Sequence, residues 1–220
     1  MSSLRIISHT QQPRYLNMAI DEALLRHVTA PVLRFYRWSE PDAVSIGYFD
    51  PHSCVPNGRP FVRRYTGGGL VDHQSDFTYS IIISKLHPLT LSGTTGSYQS
   101  IHEAVILALR HQGFTAELAP CCLEAQSSAC FEKPVKFDVI SGASKLAGGA
   151  QRRTREGCLH QGSILIKNFD YASLKNSLTH FLTPLLADVP EDSALTELEK
   201  TSAEKLAVEK YQTPEWNLSK

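Results

Sequence analysis

Three short segments of this 220-residue chain bring together residue types able to do chemistry. The first runs Arg63-Arg64-Tyr65-Thr66-Gly67-Gly68-Gly69-Leu70-Val71-Asp72-His73. Three successive glycines cost conformational entropy on folding, so something should require them. A backbone without Cβ atoms lets a ligand come close and offers it N–H groups. A flexible hairpin turn is the plainer reading. The arginine pair and the histidine that flank the glycines favour a site on a loop held by strands. The spacing is neither G-x-x-x-x-G-K-[ST] nor a G-x-G-x-x-G opening a helix, which disfavours a P-loop or dinucleotide site.

The second segment, Ser141 to Arg153, sets one lysine, Lys145, among small residues that include Gly148, Gly149 and Ala150. An ammonium there can be held against a backbone or ligand oxygen, although a solvated hairpin lysine has the same sequence appearance. The third, Ser127-Ser128-Ala129-Cys130-Phe131, closes a stretch of low periodicity over 119–134. Long loops inside compact folds often carry function. Cys130 becomes a nucleophile if cationic or dipolar surroundings stabilise its thiolate, and is otherwise an inert buried thiol.

These segments need elements to position them. Leu16, Ala19, Ile20, Ala23, Leu24 and Val28 recur at helical spacing, with Asp21, Glu22, Arg26 and His27 on the other face. Strands are expected at 4–7, 31–38, 43–47, 61–64, 77–84 and 114–118, the fifth of them rich in β-branched and aromatic residues. A second helix spans 95–112 and is closed by Gly113. Three further strands follow near 135–140, 145–151 and 158–166, and the last 55 residues are helical in pattern, with Pro184, Pro190 and Pro214 as breaks. Neighbouring strands with one or two covering helices indicate an α+β sheet fold rather than alternating βαβ units. Absence of an internal repeat or linker points to a single domain over 1–220, helical from about residue 170.

Composition narrows the function classes. Twenty-two basic residues balance 22 acidic ones, which argues against a broad nucleic-acid-binding surface. No run of about 18 apolar residues occurs, so no membrane span is expected. No long apolar stretch follows Met1, so the expected address is cytoplasmic. The cysteine count of five is odd, and neither C-x-x-C nor H-E-x-x-H occurs, so neither a disulfide framework nor a metal site is expected.

Taken together, the segments resemble the lipoate-protein ligase A family, the biotin/lipoate protein ligase catalytic fold. Leu16 to Leu25 is similar to its first helix; Leu33 to Trp38 and Ser45 to Phe49 are similar to the next two strands. The R-R-x-[ST]-G-G-G…H run at 63–73 resembles its acyl-binding loop, and Lys145 to Gln151 its lysine segment. Lys210-Tyr211 and Pro214-Glu215-Trp216-Asn217 resemble its ending. The resemblance implies mixed, largely antiparallel sheets flanked by helices. It also implies substrate-binding roles for Arg63, Arg64, Thr66, Gly67, Gly68, Gly69, His73, Gly148, Gly149 and Ala150.

Two chemistries occur in that family. Ligases activate lipoate with ATP (and Mg) before passing it to a lysine of a lipoyl domain. LipM-type octanoyltransferases instead take octanoate from acyl carrier protein as a thioester on a cysteine, with no cofactor. Cys130-Phe131-Glu132-Lys133-Pro134 resembles the cysteine segment of the second group, so the resemblance implies Cys130 as nucleophile and Lys145 as its catalytic partner. It also implies acyl carrier protein and lipoyl domains, of the glycine-cleavage H protein or dehydrogenase E2 type, as partners. The ending at Lys220 leads us to expect none of the C-terminal domain that many ligases carry. Three places, four residues in all, depart from the family pattern: Ala143-Ser144 before the lysine, Gln74 after the histidine, and Phe137 before Asp138. The first of these motivates a reading from another class, a non-catalytic protein that binds lipoyl domains or acyl groups.

Overall fold

The computed structural model describes residues 2–120 and 134–220. Its strands are β1 (Ser3–Ser8), β2 (Val32–Tyr36), β3 (Val44–Ile46), β4 (Phe61–Arg63), β5 (Val71–Asp72), β6 (Phe77–Ser84), β7 (Glu117–Leu118), β8 (Val139–Ser141), β9 (Ser144–Arg153), β10 (Gly157–Ile164) and β11 (Val189–Ser193). The helices are α1 (Arg14–Arg26), α2 (Pro88–Leu91), α3 (Gly93–His111), α4 (Tyr171–Leu186), α5 (Glu197–Leu206) and α6 (Pro214–Asn217), with a π-helical turn at Ala207–Tyr211. Eight strands form one sheet in the order β11-β1-β2-β6-β10-β9-β8-β7, and β4-β3-β5 form a second. The β11-β1-β2 pairs are parallel and the rest of the large sheet is antiparallel. The fold class is the expected α+β arrangement of mixed sheets flanked by helices.

β6 is buried on both faces because both are covered. Phe77, Tyr79, Ile81 and Ile83 pack with Ile101, Val105 and Leu109 of α3 and Leu174, Leu178 and Leu182 of α4. On the other face Ile82 joins a second cluster with α1, through Ile20, Ala23 and Leu24, and with Ala203 and Leu206 of α5. The pleat also turns Thr78 and Ser80 toward this second face. Register continues the pattern across the sheet: Thr78 pairs with Ser163 and Ser163 with Gly148, while Ser80 pairs with Gln161 and Gln161 with Ala150. Two rows of small or polar side chains therefore face α1 and the small sheet, where bulky ones would fill the space.

Three expectations are corrected. Asp21 and Glu22 are not on a solvent face: both are buried, because α5 and the π-helical turn lie over α1. Asp21 accepts from Arg34, Ser80, Tyr36 and Gln161, at 2.7, 2.8, 3.2 and 2.7 Å, and Glu22 from Lys210 at 2.7 Å. Pro184 does not break α4; it sits in the last turn, where a lost backbone hydrogen bond disturbs least. Val189–Ser193 is a strand rather than helix, with Pro190 on the edge strand where the missing N–H need not join a ladder.

Candidate active site

Between the large sheet, the small sheet and the glycine segment lies a cavity of about 210 Å³. Engineered apolar cavities of about 150 Å³ already admit benzene, so this space suits a small apolar group. Arg64, Gly68, Gly69, His73, Lys145, Gly148, Gly149 and Ala150, all named above as expected site residues, line it. Residues from elsewhere complete the wall: Met18, Tyr36, Trp38, Ser45, Thr78, Tyr98, Asp138, Gln161 and Ser163 among them.

One wall carries a fixed cation. Lys145 Nζ lies 2.9 Å from Asp138 Oδ2, with the carboxylate fully buried and the lysine side chain 11% exposed. Asp138 also accepts from the Tyr98 hydroxyl at Oδ1 and from the Val135 N–H at 2.8 Å. Burial and the adjacent Asp138 charge push the Tyr98 phenol far above its ordinary range, so it stays a donor. Phe137, the residue before Asp138, has φ 71°, an uncommon conformation for an aromatic residue. Its N–H bonds Ala119 O at 2.9 Å and its carbonyl accepts from His102 Nδ1, which hold the turn. Burial lowers the His102 pKa to about 4, so this donor is a neutral imidazole near pH 7. Gly148 makes the seat for the lysine: a Cβ there would meet Lys145 Cε at 2.5 Å and Nζ at 2.7 Å.

The opposite wall is the glycine segment. Arg64 donates from Nη1 to Ser45 O (2.9 Å) and Ser45 Oγ (2.7 Å), and from Nη2 to the carbonyls of Gly67 (3.0 Å) and Gly69 (2.7 Å). Gly68 has φ 82°, which favours glycine, and its backbone rests on Gly47: a Cβ at Gly47 would lie 1.7 Å from Gly68 O. Close backbone approach is thus what the glycines serve. Thr66 ties the segment to the core, donating to Gln161 at 2.7 Å, which in turn donates to Asp21. His73 stacks on Trp38 with ring centroids 3.8 Å apart and bonds Ser45 Oγ at 2.7 Å and Asp76 at 2.8 Å.

Not every expected residue reaches the cavity. The fully buried Arg63 points away from it, donating to the carbonyls of Gly47, Asp50, Trp216 and Asn217 at 3.1, 2.6, 3.1 and 2.9 Å. It joins the loop after β3 to the chain ending, so its place is structural rather than substrate-facing. Thr66 and Gly67 also stand behind the lining. Cys130, with Cys121 and Cys122, lies outside the described residues. Cys158 is buried and burial raises its thiol pKa, which suits no nucleophile. Sequence reasoning missed Ser45, Asp76 and Ser163; a lone serine between Val44 and Ile46 was the available signal for the first.

A family model, the lipoyl protein ligase A/B catalytic domain, matches residues 13–213. The chain belongs to that family. Among the curated relatives of this ligase A/B family member is the octanoyltransferase LipM of Carboxydothermus hydrogenoformans, 40% identical over 180 residues, which are 76% of this chain and 66% of the relative. LipM of Moorella thermoacetica is 39% identical over 167 residues, 69% of this chain and 61% of the relative. The chain therefore spans between three fifths and two thirds of the length of these two relatives. Among solved structures, a T. acidophilum protein described as a lipoate protein ligase, with lipoic acid bound, superposes with a TM-score of 0.81 at 26% identity over 99% of this chain and 100% of that one. No helix among the described residues is long and apolar enough to cross a membrane.

Proposed function

We propose that the protein is an acyltransferase of protein lipoylation, moving an octanoyl group from acyl carrier protein to the lysine of a lipoyl domain. The observation that carries this reading is a small cavity with an ammonium fixed in its wall, in a chain 39–40% identical to two octanoyltransferases. In the proposed reaction the Cys130 thiolate attacks the donor thioester and the carrier thiol leaves. The ε-amine of the acceptor lysine then attacks the acyl-enzyme, the thiolate leaves, and an amide remains. Thioester to amide is downhill, so the route needs no ATP.

Each wall has a part in this reaction. In this reading Lys145, held by Asp138, supplies positive charge to the oxyanion of the attacked carbonyl; one such donor is typically worth about 3 kcal/mol. The Gly68 and Gly69 backbone, brought close by Gly47 and Arg64, lets an alkyl chain lie against the sheet. Burial at roughly 0.8 kcal/mol per methylene gives an eight-carbon chain ample selection by length. Incubating the protein with octanoyl-acyl carrier protein in the absence of ATP should add one octanoyl mass. The part of that adduct labile to neutral hydroxylamine should be lost in Cys130→Ser and be discharged by a lipoyl domain.

The likeness to a structure with lipoic acid bound supports a second reading, an ATP-dependent lipoate-protein ligase. In that case Lys145 would hold the acyl-adenylate, and lipoate-dependent release of pyrophosphate would replace the ATP-independent adduct. Binding of a lipoyl domain without turnover of any acyl donor would instead mark a non-catalytic binding protein.

A further inference from the structure

Beyond the cysteine route, the cavity holds a second arrangement able to take an acyl group. Ser45 Oγ lies 2.7 Å from His73 Nε2, and His73 Nδ1 lies 2.8 Å from Asp76 Oδ2. Hydrogen-bond logic fixes the direction of this chain. The Arg64 guanidinium can only donate, and its Nη1 stands 2.7 Å from Ser45 Oγ. Ser45 Oγ therefore accepts from Arg64. The Asp76 carboxylate can only accept, so His73 carries a proton on Nδ1 and donates it to Asp76, and the Nε2 of the neutral imidazole then takes the Ser45 proton. This tautomer is the one in which serine is the nucleophile, imidazole the base and carboxylate the orienting group.

The surroundings fit the same roles. Asp76 accepts at Oδ2 from Thr78 (2.9 Å) and Ser163 (2.6 Å) as well as His73, while its buried Oδ1 has no hydrogen-bond partner among the described residues. A carboxylate that is not fully compensated favours the imidazolium formed when His73 takes a proton. Stacking on Trp38 holds the ring in plane. Ser45 and His73 both line the cavity, and Arg64 holds Ser45 in place through its carbonyl and its hydroxyl.

We propose that Ser45, His73 and Asp76 form a second nucleophilic centre that acylates on Ser45 and hydrolyses acyl thioesters, so that the protein also acts as a slow thioesterase. The substrate class rests on the acyl-transfer reading above. In the first step the Ser45 Oγ–C bond forms and the C–S bond breaks, with the Oγ proton passing through His73 to the leaving thiolate. In the second, water attacks the ester, gives a proton to His73, and the Oγ–C bond breaks. His73 returns that proton to Ser45, and a free fatty acid leaves.

The test uses an octyl fluorophosphonate, which reacts with triad-activated serines, on the whole chain, followed by peptide mapping. The expected result is an adduct on Ser45, absent in Ser45→Ala and formed at least about a hundredfold more slowly in Asp76→Asn. In Cys130→Ala, the octanoyl thioester of N-acetylcysteamine should leave an ester on Ser45 that survives neutral hydroxylamine. A folded wild-type chain that takes no label on Ser45 overturns the proposal, as does thioester hydrolysis in Cys130→Ala that Ser45→Ala leaves unchanged. A hydroxylamine-labile adduct on Cys130 in Ser45→Ala would keep the transferase reading standing whatever the serine does. A chain in which neither residue takes an acyl group loses both readings.

Discussion

The two walls of the cavity solve the problem of holding charge in different ways. On the large sheet, one ion pair (Lys145 with Asp138) depends on a single left-handed residue, Phe137, and on the hydrogen bonds that pin it. On the small sheet, charge is spread along a chain from Arg64 through Ser45 and His73 to Asp76, fixed by short strands and a stacked tryptophan. The first wall sets one cation in place; the second sets the path of a proton. Local backbone strain serves a point charge, whereas a relay needs several side chains in register.

The largest effect expected is on the first wall. Lys145→Ala should slow octanoyl transfer by about two to three orders of magnitude, the scale of one lost oxyanion donor. Single-turnover transfer to a lipoyl domain measures it, and near-normal turnover would remove Lys145 from the mechanism. On the second wall the corresponding break is in the backbone. In Gly47→Ala the new Cβ would lie 1.7 Å from Gly68 O, and carbonyls cannot rotate away as a side-chain tip can. We expect a loss of about 3 kcal/mol in urea unfolding, the upper range for overpacking.

The supports differ in pH response as well. His102 under the first wall is held neutral, its pKa lowered from 6.5 to about 4 by burial. A group with a lowered folded pKa leaves the unfolded chain binding more protons, so stability is complete above about pH 6.5 and is lost as pH falls toward 4. At pH 5 the loss from His102 alone should be about 2 kcal/mol. His102→Asn, which keeps a donor toward Phe137 O, should flatten the stability profile between pH 7.5 and 5 by that amount. An unchanged slope would show that His102 is not the group responsible. Half-buried His9 and buried His160 are lowered too, mainly by desolvation, so a residual slope stays in the variant.

The smallest and sharpest effect is at Gly148. Its Cβ would meet the movable end of Lys145, not backbone, so Gly148→Ala should push the ammonium from Asp138 while the strand stays folded. About tenfold slower transfer at nearly unchanged melting temperature is expected. A wild-type rate would mean that the seat does not place the cation.

Much of this arrangement was legible in the residues. The 3.6-residue period of α1, the β-branched run of β6, and the glycine and lysine segments located the scaffold and eight of the lining residues before any coordinates. The direction in which Arg63 and Arg64 point was not legible, since adjacent residues on a strand face opposite sides and the sequence does not say which side holds the cavity. The burial of Asp21 and Glu22 on the second face of α1 was not legible, because Glu22 meets Lys210 and Tyr211, about 190 residues away, and Asp21 meets Ser80 and Gln161 from two distant strands.

What the sequence by itself determined was local: the periodicities, the backbone freedom of Gly67 to Gly69, and the lone lysine among small residues. Only tertiary structure decided that Val189–Ser193 becomes a strand and that Ser45, His73 and Asp76 meet. Val189–Ser193 is polar and proline-bearing, and it gains its hydrogen bonds from β1, more than 180 residues earlier in the chain. Local propensity reflects how a segment trades its own entropy against its own contacts. A hydrogen bond between distant elements depends on where the whole sheet brings them, and no short window of sequence carries that free energy.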